Sequence, residues 1–299
     1  MCLRALCVCA VLALSSSAAR ATPEDEAVKK LFTSDNYTVT WGTAATYTTS
    51  AVLETGDGSG HGSTLGWMRF QPGKDGVDVL SIRFDKGWEP YKSKWPPDRA
   101  PVVVQRARMK ADAYAALLRA VAVVGAAQLK PVARNEATLS THDFWVQARL
   151  TANKKTLLDL DWAGYDGSRS EVQYARPRAI FLLASEAAQG LDFKNQALTD
   201  EERAWASAKF ARDWKNFKDD ESHWWVRERS IITIGVVGDA SALPTLRDVL
   251  GGNAKDRCVY YAINAVTRLT KKDVRDKPVE EMDVEKTRPK VLELIRDAK

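Results

Sequence analysis

Two stretches near the end of the chain restrict its architecture more than any other feature. Residues 230–238 read SIITIGVVG, and residues 262–270 read AINAVTRLT. A shift of 32 residues pairs Ser230 with Ala262, Ile231 with Ile263, Thr233 with Ala265, Ile234 with Val266 and Val237 with Leu269. The paired positions are small or apolar and recur at helical spacing, so each stretch presents one packing face. A self-similar unit of about this length is one helical hairpin, which buries its apolar face only by stacking on a neighbour.

The residues around the first stretch carry a resemblance. Arg227, Ile231, Ile234, Gly235, Val237, Gly238, Asp239, Pro244 and Leu246 stand in the pattern of a first helix, a glycine bend, aspartate, proline and a second helix. The segment thereby resembles the HEAT-repeat family, in the short form shared with phycobilisome-lyase-type repeats. The resemblance covers residues 221–299 alone. Its second unit departs from the pattern, because a charged insertion, KKDVRDKPVEEMDVEKTR, precedes its second helix PKVLELIRDA. The resemblance implies a scaffold or protein-binding role through an exposed helical surface, with no chemistry attached.

The bend itself, GVVGD at 235–239, invites a different reading as a phosphate cradle. A Walker-type loop comes after a strand and closes with Gly-Lys-Ser/Thr. Neither that lysine nor that spacing is present. As a bend, the stretch is accounted for residue by residue. Gly238 ends one helix, Asp239 caps the turn after it, and Pro244 suits the first turn of the second helix.

Upstream the periodicity changes. Residues 36–54, STLGWMRF, GVDVLSIRF and PVVVQRARM are rich in the residues that fit a pleated surface, with QPGKDG as a turn. HDFWVQARLTA and KKTLLDLDW form a hairpin about Asn153. Helical patterns occupy 22–32, 110–125, where Gly125 is the stop, and 176–190, with Pro177 near its start. The expected fold class is therefore α+β, an antiparallel sheet with helices on one face, followed by a short all-α HEAT-like helical-repeat domain. The α+β domain takes residues 22–192 and the repeats take 221–299. Between them, in 193–220, TDEERAWASAKFARDWKNF opens with a capping box of Thr199 and Glu202. This linking helix is expected to cap one end of the repeats, and the charged C-terminal segment the other.

Residues 1–21 read as a signal peptide. Arg4 gives a positive start, ALCVCAVLAL a short apolar core, and Ala19-Arg20-Ala21 a small-x-small cleavage site. The expectation is export, to the periplasm or beyond the cell, with a retained anchor as the alternative. Three of the 4 cysteines lie in this leader, which leaves Cys258 without a disulfide partner and excludes a cysteine zinc site. Removing Arg4 and Arg20 reduces the formal charge from +5 to +3. That balance is too slight for a nucleic-acid partner, which demands a concentrated basic stripe. Past the leader, no apolar run is long enough for a transmembrane segment.

Two constellations could carry chemistry. TGDGSGHGS at 55–63 offers Asp57, Ser59, His61 and Ser63. A calcium loop begun at Asp57 would need its closing Glu where Met68 stands, and the hydrolase elbow Gly-x-Ser-x-Gly is missing. The stretch reads as a hairpin loop. Asp159 and Asp161 share one face of a strand, with Leu158, Leu160 and Trp162 on the other. They read as the solvated outer face of a half-buried sheet, with an acid–base pair or a hard-cation site as the alternative. Accordingly no catalytic residue, metal ligand or cofactor is assigned. Trp67, Trp88, Trp95, Trp145 and Trp162 read as packing residues. Trp224 and Trp225 are adjacent and cannot share one side of a helix, so one of them is expected to dock the sheet domain onto the first repeat. Trp224, Trp225, Arg227 and Arg229 are the assigned interaction residues. The expected function is an exported protein-binding scaffold of unidentified partner. A hydrolase centred on His61, Asp159 or Asp161 and a carbohydrate- or cell-wall-binding module are the alternatives.

Overall fold

The computed structural model describes residues 23–33, 35–59, 66–84, 102–132, 143–165, 168–219, 224–253, 257–275, 277 and 281–298. The leader, His61, Ser63, Trp88 and Trp95 lie outside them. Helix α1 (Pro23–Lys30) opens the described chain, followed by β1 (Tyr37–Trp41), β2 (Val52–Ser59), β3 (Gly66–Gly73), β4 (Gly76–Phe84) and β5 (Val102–Met109). Helix α2 (Ala111–Ala126) leads into β6 (Ala127–Pro131), then β7 (Asp143–Ala152), β8 (Lys155–Tyr165), helix α3 (Ser168–Ala188) and β9 (Lys194–Asn195). Seven strands form one antiparallel sheet in the order β8-β7-β2-β3-β4-β5-β9, and β1 pairs with β6 in a separate ribbon.

Local chemistry sets the tight connections. Asn153 and Lys154 both have positive φ, 50° and 62°, the backbone of a primed two-residue hairpin between β7 and β8. At the β3–β4 turn Gly76 has φ 124°, and a Cβ there would lie 2.8 Å from the Met109 carbonyl oxygen. Only glycine fits that corner.

Side-chain alternation gives the sheet two apolar faces. Leu53, Phe70, Val79, Met109 and Leu150 point to the face covered by α2 and α3, as expected for the α+β domain. Trp67, Leu80, Ile82, Phe84 and Trp145 point the other way, into a second core. That core is completed by helices α4 (Asp200–Phe217) and α5 (Trp224–Val237), through Phe210 and Trp225. A short 3-10 turn (Ala240–Ala242) then leads to α6 (Leu243–Gly251), α7 (Arg257–Thr270) and α8 (Val284–Leu294). Helix α7 packs against α5, α6 and α8, so the C-terminal region is a stack of helical hairpins flanked by α4 on one side. The sheet and the stack share one continuous core.

Some local expectations are corrected. Residues 55–59 belong to β2 rather than to a hairpin loop, because they pair with β7 as far as Ser59 and with β3 as far as Asp57. Helix α3 begins at Ser168, which puts Pro177 in its interior. Packing carries this helix across the proline, with Tyr174 set against Trp162 and Phe144 at ring-centroid distances of 5.0 and 5.7 Å. Gly125 does not stop α2, which runs to Ala126 and passes directly into β6. Helix α8 starts at Val284, five residues before Pro289, because the Asp283 side chain caps it by accepting from the Lys286 amide at 3.2 Å. Among the described residues no helix is long and apolar enough to cross a membrane.

Candidate functional site

Helix α4 positions everything of interest at the junction. The Thr199 hydroxyl accepts from the Glu202 amide at 3.3 Å, and the Glu202 carboxylate accepts from the Thr199 amide at 2.9 Å. Together they close the expected capping box. Glu202 also accepts two bonds from Arg106 of β5, at 2.6 and 2.7 Å, which anchors the start of α4 to the sheet. One turn on, the Trp205 indole donates to Glu54 of β2.

Further along α4 lies a buried charge. Lys209 Nζ donates to Asp213 at 2.7 Å and to the Gln147 amide oxygen of β7 at 3.0 Å. The side chains of Lys209 and Asp213 are each 2% exposed. The rings of Phe210, Trp67 and Trp145 surround the ammonium at 5.0, 5.6 and 5.7 Å. Cation–π attraction and two hydrogen bonds offset the desolvation of a lysine that would otherwise be costly to bury. The Trp145 indole donates to Asp161 at 3.1 Å, which brings Asp161 to the edge of this cluster.

Asp159 and Asp161 are both exposed at the β8 rim of the sheet, as alternation predicts, while α4 covers the same face further in, where Lys209 reaches Gln147 of β7. Asp159 remains at that rim, 3.7 Å from Arg149. Asp161 keeps an exposed surface, yet desolvation and the neighbouring Asp213 raise its pKa to about 6, against the opposing pull of Lys209 and of the Trp145 bond. On the other face, desolvation raises Asp57 to about 6 against the attraction of Arg178.

These raised values tie stability to pH. A carboxyl with a folded pKa near 6 and an ordinary value of 3.8 holds its proton more tightly when folded. Its contribution is fully present below pH 3.8 and is lost as pH rises to about 6. Asp57→Asn and Asp161→Asn should thus melt with wild type near pH 3.5 and above it at pH 7. The larger gain should come at Asp57, since solvent screens the exposed Asp161. Thermal melts at the two pH values check this, and a gain that is equal at both contradicts it.

The GVVGD corner is a packing device. Gly235 faces α7, where a Cβ would lie 2.9 Å from both Cα and Cβ of Ala265. At Gly238 a Cβ would meet the Ile234 carbonyl oxygen at 2.6 Å and the Ser207 hydroxyl at 2.8 Å. The amides a phosphate would need are already engaged. Gly238 donates to Ile234, Asp239 donates to Ser207, and Ser241 donates to the Asp239 carboxylate. Asp239 caps the 3-10 turn, and Pro244 stands in the first turn of α6, as expected.

The four assigned interaction residues separate. Trp225 and Arg229 are buried, 2% and 3% exposed, with the Arg229 guanidinium over Trp225 at 5.0 Å and over Phe84 of β4 at 5.8 Å. They hold the sheet to the stack and present nothing to an outside partner, so their assignment as an external contact is corrected to an internal one. Trp224 is half-buried beneath the Arg257 guanidinium at 5.6 Å. Arg227, half-buried, donates to the Lys218 carbonyl at 3.0 Å and reaches a cavity.

That cavity, of about 680 Å³, opens between α4, α5, α6 and the start of α7. Arg212, Trp214, Lys215, Lys218, Arg227 and Thr245 line it, and Cys258, which is 2% exposed, backs it. Its volume lies in the range of ligand-binding clefts. The sequence offered one sign of it, Arg227. Nothing in the one-dimensional pattern joined that residue to α4. Comparison of the chain with family models, curated proteins and solved structures found no match.

Proposed function

We propose that the chain is an exported protein-binding scaffold whose HEAT-like hairpins and α4 form the contact surface. The observation that carries this reading is the open cavity between α4 and the helical stack. It is a concave site with an aromatic wall at Trp214 and cations at Arg212 and Arg227, the residue types enriched where proteins bind one another. The shared core supports it too, because Lys209, Trp225 and Arg229 fix the cavity walls to a rigid sheet. The fold supplies rigidity and the cavity supplies contact.

A photo-reactive benzoylphenylalanine placed at Asp248 of α6, at Lys215 of α4, or at Lys155 of β8 tests the proposal in the cells that make the protein. All three positions are exposed. The expected result is the same discrete protein adduct from Asp248 and Lys215, and none from Lys155. Equal labelling from all three sites, or no adduct from the two cavity sites, overturns the reading.

A further inference from the structure

The cavity beside α4 has a chemistry that narrows its partner. Among the described residues, four cations line it, Arg212, Lys215, Lys218 and Arg227, against two carboxylates, Asp219 and Asp248. The carboxylates do little to neutralise the interior. Asp219 is 88% exposed and stands 3.9 Å from Lys218, a surface pair of small energetic weight. Asp248 is exposed on α6. The guanidiniums sit deeper. Arg212 is half-buried, and its Nη2 is buried without a hydrogen-bond partner. A buried guanidinium nitrogen with no acceptor is costly, so the side chain is held in the wall by its packing.

We infer that this cavity binds an acidic polypeptide segment, with a side-chain carboxylate held at Arg212. The inference rests on the protein-binding reading and adds the partner's chemistry. The Arg212 guanidinium lines the cavity, and a charge-assisted hydrogen bond from it to a carboxylate oxygen is stronger than one between neutral groups. Lys215 and Lys218, exposed at the rim, attract the segment from solution and make its capture dependent on salt. Trp214, half-buried in the wall, offers apolar surface to the methylenes between the carboxylates.

The test is a titration of the full chain with a fluorescently labelled hexaglutamate peptide, followed by anisotropy, with hexalysine peptide and inorganic phosphate as the other probes. Saturable hexaglutamate binding that weakens as salt is raised is expected, with no hexalysine binding and no displacement by millimolar phosphate. Arg212→Ala and Arg212→Gln should each weaken binding at least tenfold with a melting temperature close to wild type. Arg108→Ala, which removes an equal charge from β5, should leave binding unchanged. Absence of saturable binding overturns the inference, as does an equal loss in Arg108→Ala, which would mark attraction to net charge alone. Displacement by phosphate would assign the cavity to small anions and overturn it as well. If the cavity-site crosslinks still form while hexaglutamate does not bind, the scaffold reading stands and the acidic partner falls.

Discussion

Lys209→Ala should destabilise the protein by about 3–5 kcal/mol, the usual cost of removing one partner from a buried ion pair. The loss falls on Asp213, which is as buried as the lysine and whose Oδ1 has no hydrogen-bond partner even in the intact pair. Taking away Lys209 leaves that carboxylate without its ammonium, leaves the Gln147 amide oxygen without its donor, and opens a void between Phe210, Trp67 and Trp145. The double variant Lys209→Met/Asp213→Leu fills the same space with apolar atoms and strands no charge. It should recover to within about 1 kcal/mol of wild type. Chemical denaturation of the three proteins makes the comparison. A single variant as stable as wild type would mean that the ammonium is solvated and that α4 does not seal the sheet.

The sequence exposes the parts of this fold whose causes are local. Thr199 and Glu202 stand three apart and cap one helix without help from elsewhere. Asn153 accepts a positive φ, so the β7–β8 hairpin forms where that residue stands. Asp239 and Pro244 mark a helix start by their own backbone preferences. The misjudged segments are those where packing overrides such preferences. Pro177 looks like a helix start, yet Tyr174 gains enough from Trp162 and Phe144 to continue the helix through it. The ribbon strand β6 and the two-residue β9 exist because β1 and β5 offer them edges, not because AQLKP or KN alternate.

The functional surface was harder to see for the same reason. Alternation places Asp159 and Asp161 on the exposed side of β8, but it says nothing of the helix that covers the same face at Gln147 of β7. Lys209 and Asp213 look like an ordinary surface pair four residues apart, and only the sheet beneath them turns the pair into a buried one. Arg229 reads as a charged helix residue suited to a partner, and Phe84, more than a hundred residues earlier, claims it. Arg212 and Arg227 meet at one cavity because α4 and α5 pack side by side, a relation no periodicity encodes.

Damage to the helical stack should be felt by the sheet, and Gly235→Leu is the sharpest way to inflict it. Helices α5 and α7 touch at Gly235 and Ala265, where any Cβ lies 2.9 Å from the opposing backbone and from the Ala265 methyl. A leucine must push the helices apart, at a cost of about 3 kcal/mol for overpacking a seam with no spare volume. At roughly 2–4 °C per kcal/mol, the melting temperature should fall by about 6–12 °C. Scanning calorimetry of wild type and Gly235→Leu tests the account most directly, because sheet and stack share the core that holds Trp67, Phe84, Phe210 and Trp225. The prediction is a single transition in both proteins, with the whole heat of unfolding moved to the lower temperature in the variant. Two transitions in the variant, the larger still at the wild-type temperature, would show the sheet folding independently of the helices and contradict the shared core.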